Sequence, residues 1–318
     1  MLFYTLSGTG GASGNPVIFS VASGPGTISG DTLTINGAGK VVVAANQAGN
    51  TDYAAAPQVT QAITIKRASQ SISFTAPKSP VSYGSAPITL SATGGESGNA
   101  VVFSIVSGPG TISGATLKIT GAGTIKVLAS QAGNGNYSAA PSVGHSVQVN
   151  KAELTVTAKN ASRKYGAANP TFTYGIAGFV DGDTASKALA GAPALTTSAS
   201  ATSPVGTYPI SVKIGTLAAT NYRFKFVAGT LTVTSLGTAA KPTFTPGQGK
   251  VAAGQKVTLK DAATGAVIRY TTDGTTPTDQ STKYTVPITV SKAETIKAIA
   301  IAPGYADSAV ASASYAIK

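Results

Sequence analysis

Apolar residues in this chain come in short runs, many of them of period two. Thr32-Leu33-Thr34-Ile35 alternates polar and apolar positions, while Val17-Ile18-Phe19-Ser20-Val21 and Lys40-Val41-Val42-Val43 are rich in β-branched and aromatic residues. Each run is bounded by Gly, Pro or Asn. Alternation puts successive side chains on opposite faces of a strand, so one face is buried and the other wetted. Short strands of this kind, spaced about 8–12 residues apart with turn residues between them, predict a β-sandwich. The single helix-like stretch is around Ala185–Ala192, and Gly191 with Pro193 cuts it short.

The pattern repeats. Residues 5–68 reappear at 89–152 without an insertion or deletion. Leu6 becomes Leu90, Ser23-Gly24-Pro25-Gly26-Thr27-Ile28-Ser29-Gly30 becomes Ser107-Gly108-Pro109-Gly110-Thr111-Ile112-Ser113-Gly114, and Gln47-Ala48-Gly49-Asn50 becomes Gln131-Ala132-Gly133-Asn134. A gapless copy of this length is one domain duplicated, and arrays of such domains space, stiffen or assemble more often than they catalyse.

Extending the period gives an all-β tandem array of four sandwich domains, at 1–67, 68–151, 152–235 and 236–318. The junctions between the first three are a few residues long, which predicts a semi-rigid rod. The first domain differs from the second, because nothing before Phe3 matches Gln70–Ala86. Two expectations follow: an array that continues upstream, or a strand supplied from elsewhere by strand addition. In the second case Phe3, Thr5 and Leu6 mark the assembly edge, head-to-tail self-association is the partner interaction, and Val310–Ile317 is the candidate donor, although its own domain is expected to need it.

Composition narrows the chemistry. Charged residues make up only 11% of the chain, and Gly, Ala, Ser and Thr stand in their place. The net charge of +12 spreads over the four segments as +1, +3, +4 and +4, and the longest basic clusters are the pairs Lys66-Arg67 and Arg163-Lys164. A nucleic-acid binder concentrates charge on one element, so nucleic acid is not expected as a partner, whereas weak attraction to acidic polysaccharide or an anionic cell surface is. With no Cys, neither a disulfide nor a thiolate metal site is possible. No run of about 18 apolar residues predicts a membrane span, and residues 1–20 do not read as a signal peptide.

Few residues carry candidate chemistry. His145, in a predicted strand, replaces Gln61 of the other copy and is expected to face solvent. Asp181 and Asp183 are the closest acidic pair; Asp-x-Asp in a loop can begin a Ca²⁺ site, but about six to eight oxygen ligands are needed and Gly182 fits a turn equally well. Asp273-Gly274 is expected to be a hairpin turn. The loop Gly8-Thr9-Gly10-Gly11-Ala12-Ser13-Gly14 has no Gly-Lys-Ser/Thr ending and recurs as Thr93-Gly94-Gly95-Glu96-Ser97-Gly98, so it is structural, and no cofactor is expected. Tyr270, Tyr284 and Tyr305 are the candidates for stacking on a sugar, with core packing as the competing reading for the first two. Tyr53 and Tyr137, which occupy equivalent positions, read as sandwich-corner residues.

Two resemblances join this reading. Tyr83-Gly84 and Tyr165-Gly166, each followed by Ala and Pro, resemble the bacterial Ig-like MBG repeats of the YGX type, as do Gly178-Phe179-Val180-Asp181-Gly182-Asp183-Thr184 and the Gln-Ala-Gly-Asn stretches at 47 and 131. Pro242-Thr243-Phe244 and Ile268-Arg269-Tyr270-Thr271-Thr272-Asp273-Gly274-Thr275-Thr276-Pro277 resemble the domain at the C-terminus of chitobiase and β-hexosaminidase. The resemblances imply Ig-like sandwich modules of extracellular or surface-anchored bacterial proteins, with no active site of their own. The expected function is a structural stalk, adhesin or surface-fibre segment. The alternative is a carbohydrate-binding accessory region that holds a polysaccharide or cell-surface glycan.

Overall fold

The computed structural model describes residues 2–261, 263 and 265–318. Half of the chain is strand and almost none is helix. Its contacts divide it into two units: Met1–Ala152 with Thr220–Tyr222, and Glu153–Ala219 with Arg223–Lys318.

The first unit opens with β1 (Leu2–Thr5), β2 (Val17–Ser23), β3 (Gly26–Ser29), β4 (Thr32–Ile35), β5 (Gly39–Gln47) and β6 (Val59–Ile65). They form two three-stranded sheets, β1-β4-β3 and β2-β5-β6, whose inner faces meet over Leu33, Ile35, Val41 and Val43. These are the apolar positions of the alternating runs, as a half-buried sheet requires.

The tandem copy adds β7 (Ser73–Phe74), β8 (Val81–Ser82), β9 (Ile88–Thr89), β10 (Ala92–Thr93), β11 (Val101–Ser107), β12 (Gly110–Ser113), β13 (Thr116–Ile119), β14 (Gly123–Gln131) and β15 (Val143–Asn150). Its sheets are β12-β13-β9, β11-β14-β15-β8 and the short pair β10-β7. Register is kept between copies. Val17 opposes Gln47 as Val101 opposes Gln131, and each first strand carries a bulge, between Val21 and Ser23 or between Ile105 and Ser107. The turn between bulge and next strand needs glycine: Gly24 (φ 99°) and Gly108 (φ 102°) are left-handed, and a Cβ on either would run into the carbonyl oxygen of Lys40 or Thr124.

Next along the chain, Ala152–Ala158 lies between Tyr174–Ala177 and Tyr222–Val227. The facing sheet runs Ala161–Lys164, Gly229–Thr234, Gly206–Lys213, Ala194–Thr196, over a core of Ala158, Ala199, Ile210 and Leu231. The helix-like stretch is a single turn, Ala185–Ala188, and Leu189 is already extended. In the C-terminal part, a five-stranded sheet runs Gly249–Val251, Ala311–Ile317, Glu294–Ile301, Val267–Thr271, Thr282–Lys283. It packs through Ile296 and Ala298 on a core shared with Val257 and Val290.

Candidate functional site

The tandem copies differ beside β6, where the first copy has a groove. Strand β6 ends its sheet, and Thr5, Leu6, Gly8, Val17, Phe19, Val43, Ala45, Val59, Gln61 and Ile63 line a groove of about 430 Å³ beside it. None of the lining residues is charged. The glycine loop that follows Thr9 is held by Gln47, whose Oε1 accepts the Gly11 N–H at 2.7 Å and whose Nε2 donates to the Asn15 carbonyl at 2.7 Å. The glycine loop is therefore structural, because Gly10 leaves the space that this glutamine side chain fills.

In the second copy the side of this surface next to β15 is covered, while Leu90, Ala92, Val101 and Phe103 still line an open pocket of about 440 Å³. Strand β7 pairs antiparallel with β10, Phe74 opposite Ala92 and Ser73 opposite Thr93, and the Thr75 N–H donates to the Ser91 carbonyl. The Phe74 ring stands 5.2 Å from Phe103 and 4.9 Å from His145, edge-on to the imidazole. Nε2 of His145 lies 3.0 Å from the Phe74 carbonyl oxygen. The residues beneath are buried, Leu90, Val147 and Val149 among them, whereas their counterparts Leu6, Ile63 and Ile65 are half-buried. Val59 is 67% exposed.

This corrects one expectation and bears on a second. His145 does not face solvent: it is half-buried, in contact with β7. Val310–Ile317 is no free donor, because Ala311–Ile317 is hydrogen-bonded on both sides, to Glu294–Ile301 and to Gly249–Val251. Of the proposed edge residues, Phe3 (58% exposed) and Thr5 lie in β1, opposite Thr34 and Thr32 of β4. Leu6 donates its N–H to the Asp31 carbonyl and packs on the core, and Thr5 and Leu6 both reach the groove.

The other candidates stand apart from it. Asp181 (φ 57°) and Gly182 (φ 74°) form a turn that the Asp183 N–H closes onto the Val180 carbonyl. Among the described residues no three His, Asp or Glu group together as metal ligands. Tyr270 and Tyr284 meet edge-to-face at 6.3 Å and pack against the C-terminal core, while Tyr305 is 38% exposed. Asp273-Gly274 is not a two-residue hairpin turn. Asp273 Oδ1 instead accepts the N–H and hydroxyl of Thr275, opening the long loop that returns as Thr282–Lys283. Tyr53 is exposed rather than plugging a corner; that bond is made by Tyr208, whose hydroxyl donates to the Pro204 carbonyl at 2.8 Å. Nor did the sequence reveal that Arg163, one of the basic pair, is buried, its guanidinium on Asn169 Oδ1 and the carbonyls of Lys164 and Ser200.

A second cleft, of about 630 Å³, lies among Asp273, Lys292, Glu294, Thr295, Lys297 and Tyr315. Glu294 Oε1 is buried there without a hydrogen-bond partner.

Residues 154–232 match the family model of the MBG domain (YGX type). Residues 246–312 match that of the chitobiase/β-hexosaminidase C-terminal domain. Both are accessory modules, and no catalytic family is matched. No curated protein matches the chain. Among solved structures, the human desmocollin-1 ectodomain is similar at 10% identity and a TM-score of 0.26, over 98% of this chain and 76% of that one. Domains 4–9 of the surface layer protein SbsC are similar at 12% identity and 0.23, over 95% and 60%. The Bacteroides ovatus protein SGBP-B, solved with a mixed-linkage heptasaccharide, is similar at 13% identity and 0.20, over 78% and 70%.

Proposed function

We propose that the chain is a non-catalytic structural segment of an extracellular or cell-surface protein, a stalk, adhesin or fibre region built of four Ig-like sandwich modules. One observation carries this reading: the contact between the two tandem copies is fixed, Asn136 Oδ1 accepting the Ala38 N–H, and the first unit repeats that bond where Asn221 Oδ1 accepts the Ala122 N–H. A fixed contact between duplicated domains is what a spacer needs. The low charge and the accessory modules matched at 154–232 and 246–312 support the same reading.

Small-angle scattering with light scattering over a concentration series tests it. The expected result is an elongated particle whose scattering fits a rod rather than flexible beads. A collapsed or freely flexible particle overturns the reading. Retention on insoluble chitin or cellulose, lost in Tyr270→Ala and Tyr284→Ala variants that still fold, would replace it with a carbohydrate-binding accessory role.

A further inference from the structure

We infer that the groove on the first repeat is the seat of an added β-strand of the Gln-Ser-Ile-Ser-Phe type, laid antiparallel along Ser7–Thr9. The tandem copy displays the occupant. There Gln70, Ile72 and Phe74 are buried while Ser71 and Ser73 are exposed, so three alternate side chains form one inward face. The strand that fits is uncharged, extended and aromatic at its end, matching a groove whose lining carries no charge.

The first repeat keeps the features that receive this strand. In the second copy the Gln70 side chain bridges the Ser97 N–H and the carbonyls of Ala132 and Ser138. Ser13, Ala48 and Ala54 occupy the equivalent positions in the first. Gly95 is needed there, since a Cβ on it would stand 2.7 Å from the Gln70 Cβ, and the first repeat has Gly11 at that position although no such neighbour meets it. Where His145 meets the Phe74 carbonyl, the first repeat places Gln61, whose amide can donate the same hydrogen bond. Phe19, the counterpart of Phe103, is the ring that an incoming phenylalanine meets.

This inference rests on the structural reading above and gives its open edge a specific occupant. The test titrates the full chain with a synthetic peptide of residues 69–76, followed by calorimetry and by amide shifts of Ser7–Thr9. Saturable one-site binding is expected, weakened about tenfold or more by Phe74→Ala in the peptide, the scale of losing a buried ring. Gln61→Glu in the protein, which sets a carboxylate against the strand carbonyl, is expected to weaken binding similarly, and Gln61→His to restore it. No binding by the folded chain, or binding indifferent to both changes, overturns the inference and leaves the rod measurement standing. Self-association of the chain that excludes the peptide would seat a second copy in the groove and likewise overturn it.

Discussion

Asn136 turns its side-chain oxygen to the backbone N–H of Ala38 at 2.9 Å, and Asn221 does the same to Ala122 at 3.0 Å. The loops that receive them are equivalent: Asn36 donates to the Pro25 carbonyl, and Thr120 to that of Pro109. Glycine makes room for both asparagines. A Cβ on Gly37 would stand 2.7 Å from Asn136 Oδ1, and one on Gly121 would stand 3.1 Å from Asn221 Oδ1. Backbone bonds reinforce the first joint, Ala68 donating to the Asn136 carbonyl and Ser138 to that of Ala68.

Replacing Asn136 with Ala removes the side-chain acceptor and leaves the backbone bonds in place. The expected loss is about 1 kcal/mol, the net size of such a hydrogen bond. Hydrogen exchange reads it locally: the Ala38 amide is expected to lose protection while the amides of β4 and β5 keep theirs. Unchanged exchange at Ala38 would show that the backbone bonds alone hold the joint.

Gln131 is buried and satisfies three groups of its loop, accepting from the Gly95 N–H at 2.7 Å and donating to the carbonyls of Asn99 and Gly95. Gln131→Leu fills the same volume and leaves those backbone groups short of partners, at a cost of about 1–3 kcal/mol. Gln47→Leu is expected to cost a similar amount in the first copy, where Gln47 makes equivalent bonds. The midpoint of urea unfolding checks both, and a midpoint equal to wild type would remove these glutamines from the account.

Local alternation made the strands legible, and the gapless copy carried their register with it: Thr116-Leu117-Lys118-Ile119 pairs with β12 as Thr32-Leu33-Thr34-Ile35 pairs with β3. Alternation also speaks for His145: it shares the inward face of its strand with Val147 and Val149, and β7, far off in sequence, lies against it there. What alternation does not name is that covering strand. The joint residues went unnoticed because loops carry no periodicity, although a signal was present: Asn136-Tyr137 and Asn221-Tyr222 share a dipeptide where the first copy has Asp52-Tyr53. The Asp273-Gly274 misreading has a local cause. An Asp side chain that bonds two residues ahead makes an Asx turn, and that geometry opens a long loop as readily as a hairpin.

That Asx turn predicts a pH effect. The hydroxyl and N–H of Thr275 hold the Asp273 carboxyl below the usual carboxylate range, with Lys297 adding a smaller attraction. A depressed folded-state value means that the contribution is present above the ordinary carboxylate pKa and is lost as pH falls through the folded one. Thr275→Val removes the largest cause, so the Asp273 pKa is expected to rise towards its ordinary value. An NMR titration of the Asp273 carboxyl carbon measures this, and a value unmoved by the substitution would refute the assignment.

Tyr165, the aromatic of the Tyr-Gly pair, lies against Gly304. A Cβ built on Gly304 falls within the Tyr165 ring, and the glycine is also left-handed, at φ 79°. The backbone around this contact is pinned, Tyr165 donating to the Thr234 carbonyl and Leu236 to that of Gly304. Gly304→Ala therefore meets two separate penalties: strain at positive φ, about 1–2 kcal/mol, and overlap with the ring, about 1–3 kcal/mol more. The two separate in a double-mutant cycle. Tyr165→Ala alone destabilises by lost packing, but in its background the cost of Gly304→Ala is expected to fall to the backbone part. Additive costs would mean that the ring moves aside freely, and that glycine is required at 304 for its dihedral alone.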